Sequence, residues 1–127
     1  MIVLDASAVV LALLNDGDAR RSLAREIAAV PHLADSEVTH ALRSQVLRGT
    51  VSAADAQAAL ASWARLGVRR FAVVGLLDRI WELRDNVTAY DATYVALAEA
   101  LGCDLVTADA RLAQAPGPTC SITVLRR

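Results

Sequence analysis

Ile2-Val3-Leu4-Asp5-Ala6-Ser7-Ala8 runs three large apolar residues into an acid and then into small residues suited to a helix start. An uninterrupted apolar run with no polar alternation fits a strand buried on both faces, as in a parallel sheet. The same order returns at Leu105-Val106-Thr107-Ala108-Asp109, where a short apolar run again ends in a hydroxyl and a carboxylate. Strands of this kind, alternating with segments of helical period, define an α/β chain whose parallel sheet is covered by helices.

Outward from these two stretches, the spacing predicts strands at Ile2 to Leu4, near Leu33, at Arg69 to Val74, at Asp104 to Thr107 and at Ile122 to Leu125. Helices are expected at Ala8 to Asn15, Ala19 to Val30, Ser36 to Arg48, Ala53 to Leu66, Leu76 to Asp85 and Ala89 to Leu101, with a short turn after Asp109. Ser52 with Asp55, and Thr88 with Asp91, carry the spacing of capping boxes. Gly49, Gly67 and Gly102 stand where helices should stop. No repeat or Pro/Gly-rich linker divides the chain, so residues 1–127 are expected to form one domain.

Composition narrows the function classes. At 127 residues and 55% hydrophobic content, the chain can bury one real core. No stretch nears the roughly 18 apolar residues of a membrane span, and no secretory signal follows Met1, so a cytoplasmic protein without a membrane partner is expected. Cys103 and Cys120 lack metal-site spacing and read as small hydrophobes. A net charge of -1 gives little general attraction to nucleic acid. All 13 basic residues are arginine, however, and the guanidinium fork suits bidentate phosphate contact.

Ligands of open parallel α/β sheets bind beyond the carboxyl ends of the strands, so polar residues just after strands matter most. Asp5 and Asp109 occupy such places, while Glu37 and Asp91 are expected in the first turns of two helices that can face the same crevice. Each has a plainer explanation. Asp5 and Asp109 can cap helices, Asp91 can complete a capping box, and Glu37 can complement a helix dipole. Together, though, four clustered carboxylates repel one another unless a cation neutralises them. All-oxygen ligands suit Mg2+ or Mn2+ rather than zinc, and such ions equip a phosphodiesterase by polarising water and stabilising charge on phosphate. Ser7 and Thr107 could orient these acids or bond a water, or simply serve their turns. Arg43, six residues after Glu37, could reach a phosphate or be a solvated helix residue; His32 and His40 are not needed by this chemistry.

At these residues the sequence resembles the PIN-domain family, in particular VapC-type toxins of bacterial toxin–antitoxin pairs. The resemblance spans nearly the whole chain, through Val3-Leu4-Asp5-Ala6-Ser7-Ala8, Ser36-Glu37-Val38 with Ala41-Leu42-Arg43, Leu83-Arg84-Asp85-Asn86-Val87-Thr88-Ala89-Tyr90-Asp91-Ala92, and Leu105-Val106-Thr107-Ala108-Asp109. It implies a three-layer fold with five mostly parallel strands flanked by helices. It also implies Mg2+ or Mn2+ binding, endoribonuclease action on RNA such as tRNA, rRNA or mRNA, a cognate VapB-type antitoxin and a homodimer. The family's acidic positions fall on Asp5, Glu37, Asp91 and Asp109, and its accessory hydroxyl on Thr107.

Two other readings compete. An aspartate ending the first strand also opens phosphotransfer enzymes that form an aspartyl-phosphate, but those use a lysine for the phosphoryl charge, and this chain has none. A non-catalytic module acting only through its partner surface would use alanine-rich helices such as Ala53 to Leu66 as a groove. The presence of all four acids argues against it.

Overall fold

The computed structural model describes residues 1–126. The elements follow in the order β1 (Ile2–Leu4), α1 (Ala6–Leu14), α2 (Asp18–Arg25), β2 (Ala28–Pro31), α3 (Leu33–Leu47), α4 (Ala53–Arg65), β3 (Arg69–Phe71), a 3-10 turn (Val74–Leu76), α5 (Leu77–Glu82), α6 (Ala89–Leu101), β4 (Asp104–Thr107), α7 (Ala110–Gln114) and β5 (Ile122–Val124). The five strands form one sheet in the order β3-β2-β1-β4-β5, and every pairing is parallel.

Strand order explains the burial. β1 is covered by β2 on one side and β4 on the other, so Val3, Leu4, Ala29, Val30 and Leu105 are fully buried. The edge strand β3 carries Arg69 and Arg70, charges that discourage pairing with another chain. From β1 the chain builds outward through β2 and β3, then returns to lay β4 on the other side of β1. Strand order therefore reverses beside β1, and the carboxyl ends of β1 and β4 open on that crevice.

α6 is buried over the consecutive run Ala92 to Ala98 and packs on β1, β2 and β4. A helix apolar on all sides belongs inside. Its ends are fixed by chemistry: the Thr88 hydroxyl accepts from the Asp91 amide at 3.1 Å, and Gly102, at φ 65°, ends the helix in a left-handed turn that a side chain would strain. At the opposite flank, Asp35 of α3 accepts from Trp63 Nε1 of α4 at 2.7 Å and from both Nε and Nη2 of Arg70 of β3, at 2.8 and 3.0 Å. This polar clasp fixes α3, and with it Glu37, against α4 and the sheet edge.

The largest departure from expectation lies between residues 19 and 33. The helix expected to reach Val30 ends at Arg25, and the strand expected near Leu33 is β2 at Ala28–Pro31. Alanine is a helix former, but Ala28 and Ala29 are buried in a strand paired on both sides, so tertiary packing overrides propensity. Pro31 is tolerated because it is the last residue of the strand, and the next amide, His32, makes the bond to Phe71 instead, at 3.0 Å. α3 consequently starts at Leu33 rather than Ser36, and β3 stops at Phe71 rather than Val74.

Candidate active site

Asp5 follows the last residue of β1 and is 6% exposed. Its Oδ1 accepts from the Ser7 hydroxyl at 2.6 Å and from the Ala8 amide at 3.0 Å, so it caps α1 as the plainer reading holds. Its Oδ2 accepts from the Thr107 hydroxyl, which belongs to β4. Each hydroxyl has one proton, and each spends it on Asp5. Their lone pairs are used as well: Ser7 Oγ accepts from the Ala108 amide and Thr107 Oγ1 from the Asp109 amide, both at 3.0 Å. Two small hydroxyls thus tie the ends of β1 and β4 together and aim one buried carboxylate.

Asp109 caps α7, accepting from the Arg111 amide at 3.0 Å, and pairs with the Arg111 guanidinium at 3.3 Å. Asp91 lies in the first turn of α6. Glu37 lies in the second turn of α3, because that helix starts earlier than its sequence suggested. The four acids sense one another. Burial, and then the charge of Asp109, push the Asp5 carboxyl up, against the pull of its hydrogen bonds. Burial raises Asp91 too, followed by the charges of Asp5 and Asp109. Glu37 is raised chiefly by burial and further by Asp91 and Asp5. Asp5 and Asp91 are therefore the centre of the group: Asp109 raises both, and both in turn raise Glu37.

The donor set is all oxygen and all anionic, which fits a hard divalent cation. Among the described residues, no three Asp, Glu, His or Cys side chains converge into a ready-made metal cage. An ion of the Mg2+ type does not require such a cage, since it keeps several waters and takes only one or two carboxylates directly. His32 and His40 are exposed, and Cys103 and Cys120 are free thiols pushed up by burial that precede β4 and β5, at the ends of those strands away from the crevice.

A groove between α1 and α3 begins at Ser7, the hydroxyl partner of Asp5, and is lined further by Leu11, Asn15, Ala41, Gln45 and Arg48 among others. Glu37, Ala41, Ser44 and Arg48 follow the i, i+4, i+7, i+11 spacing of one helix face. Arg43 is exposed, and six residues at about 100° each turn it away from that face, so it does not line the groove. Sequence reasoning passed over Arg48, although counting helical turns from Glu37 would have found it. It also passed over Arg111, whose side chain is 92% exposed beside Asp109 and whose charge offsets the upward push on Asp91.

Residues 2–118 match the PIN domain model. The chain is 57% identical over 127 residues to the VapC ribonuclease Mb0985 of Mycobacterium bovis, covering 100% of both. Among solved structures, PAE2754 from Pyrobaculum aerophilum superposes with a TM-score of 0.71 at 28% identity, covering 95% of this chain and 81% of the other. VapBC2 from Rickettsia felis, bound to a DNA fragment from its promoter, gives a TM-score of 0.69 at 16% identity over 99% and 100% of the chains, a likeness of fold. The parallel sheet with acids at the ends of β1 and β4 is a PIN-type fold. This chain belongs to the PIN-domain family and, within it, to the VapC ribonucleases.

Proposed function

We propose that the chain is an endoribonuclease toxin that hydrolyses RNA phosphodiester bonds at Asp5, Glu37, Asp91 and Asp109 with Mg2+ or Mn2+. Its membership of the VapC ribonucleases makes it a hydrolase of RNA. The site rests on one observation above others: a buried carboxylate at the end of β1, clamped by Ser7, Ala8 and Thr107, with Asp91, Glu37 and Asp109 close enough to raise or be raised by its charge. A divalent cation held there would supply polarisation of water and neutralisation of the phosphate. Asp5 and Asp91 would hold it, and Glu37 and Asp109 would complete its surroundings and take the proton of the attacking water. Thr107 orients Asp5 rather than touching substrate, since its one proton is already committed. Arg48 and Arg111 would place the RNA backbone on either side of the acids, by charge-assisted hydrogen bonds.

The partners follow from the same reading. The substrate is a tRNA, rRNA or mRNA, and the cognate regulator is a VapB-type antitoxin. A cytoplasmic location is consistent with the finding that no helix among the described residues is long and apolar enough to cross a membrane. A homodimer is supported by Val74, Leu77 and Trp81, exposed at i, i+3 and i+7 along the 3-10 turn and α5, and a light-scattering mass of two chains checks it.

Incubating the purified protein with total RNA, with Mg2+ or with EDTA, and mapping new ends tests the function. Discrete ends that need Mg2+, and that fall by on the order of 100-fold or more for Asp91→Asn, are expected. A folded wild-type protein that leaves RNA intact would instead be the binding module.

A further inference from the structure

Tyr94 lies one turn after Asp91 on α6, within the run of α6 that is buried on all sides. It is 1% exposed, and its hydroxyl is the buried side-chain oxygen that lacks a hydrogen-bond partner among the described residues. Leaving a buried hydroxyl unpaired costs stability, and phenylalanine would fill the same space without that cost. The fold alone gives no reason for the oxygen. The acids do, because the interactions that reach this phenol come from Glu37, then from Asp5 and Asp91. Burial and these three negative charges push the phenol well above its ordinary range, so it keeps its proton and can only donate toward them.

We infer that Tyr94 is a positioning residue for the candidate site, its buried hydroxyl donating to Glu37 and fixing which carboxylate oxygen Glu37 presents to a cation. This rests on the proposed cation-dependent reading. Glu37 is the acid that most needs such a guide. Asp5 is clamped by Ser7, Ala8 and Thr107, and Asp109 by Arg111, whereas Glu37 enters from α3 with Asp91 and Asp5 repelling it. A donor behind Glu37 offsets that repulsion and holds its geometry as the cation loads, the part played by hydrogen-bonded groups behind metal ligands generally.

The test is Mn2+ titration by calorimetry without RNA, on wild type, Tyr94→Phe, Glu37→Gln and the double variant, with thermal unfolding of each in EDTA. The expected result is a Mn2+ dissociation constant raised about tenfold in Tyr94→Phe, with a single cooperative unfolding transition in EDTA showing that the variant stays folded. Within the Glu37→Gln background the same substitution should change Mn2+ affinity less than about twofold, because the effect passes through Glu37. Wild-type Mn2+ affinity in Tyr94→Phe overturns the inference, as does an equal loss in both backgrounds. Wild type that binds no Mn2+ overturns the cation reading itself, and this inference with it.

Discussion

A carboxylate offers about four lone-pair positions, and the fold commits three of those on Asp5, to Ser7, Ala8 and Thr107. One lone-pair position remains uncommitted. The observed cap does not compete with the proposed role of Asp5 as a ligand: the capping bonds would hold such a ligand still. The sequence contained the four acids and the capping spacing, but not this sharing of lone pairs, which joins residues 5 and 107 across the sheet. Thr107 is the sharpest probe at this scale, being fully buried and bonded to both Asp5 and the Asp109 amide. Thr107→Val should cost about 1–3 kcal/mol in urea unfolding and lower cleavage about 10- to 100-fold, whereas Thr107→Ser keeps the hydroxyl and most of the rate. Equal rates for valine and threonine would remove Thr107 from the site.

At the scale of elements, α3 decides the outcome. Its start at Leu33 moves Glu37 from the first turn to the second and sets the face that carries Ala41, Ser44 and Arg48 along the groove. The sequence placed the helix but not its first residue, because the cue for that start is β2, and Ala28-Ala29-Val30-Pro31 reads as helix until the neighbouring strands are known. β1, β4 and β5 were legible because their Val, Leu and Ile residues carry no such ambiguity. The groove face makes a paired prediction about RNA. Arg48→Ala should raise KM for RNA about five- to tenfold, and Arg43→Ala should leave it within twofold, because only Arg48 lines the groove. Initial rates across a range of RNA concentrations separate the two; a larger effect at Arg43 would put the substrate elsewhere.

Across the whole molecule, opposing groups shape the response to pH. Asp35, held down chiefly by Arg70, and Glu99, held down chiefly by Arg79, contribute stability that is present above the ordinary carboxylate range and lost as pH falls through their lowered values. Asp5, Glu37 and Asp91 are raised, mainly by burial, so the folded form binds more protons than the unfolded chain and stability falls as pH rises through their raised values. The metal-free protein should lose stability as pH rises above the ordinary carboxylate range, and saturating Mg2+ should lessen that loss; urea midpoints from pH 4 to 8 with EDTA or Mg2+ check this. A net charge of -1 further implies that few phosphates are held electrostatically. The most direct test of a shared cation centre is substoichiometric Mn2+ added to the 15N-labelled protein, read as paramagnetic loss of backbone amide signals. The account predicts that the signals next to Asp5, Glu37, Asp91 and Asp109 fade together and first, while those beside Asp16, Asp18 and Asp55 persist. Fading centred on those surface acids, or spread evenly over the chain, would contradict it.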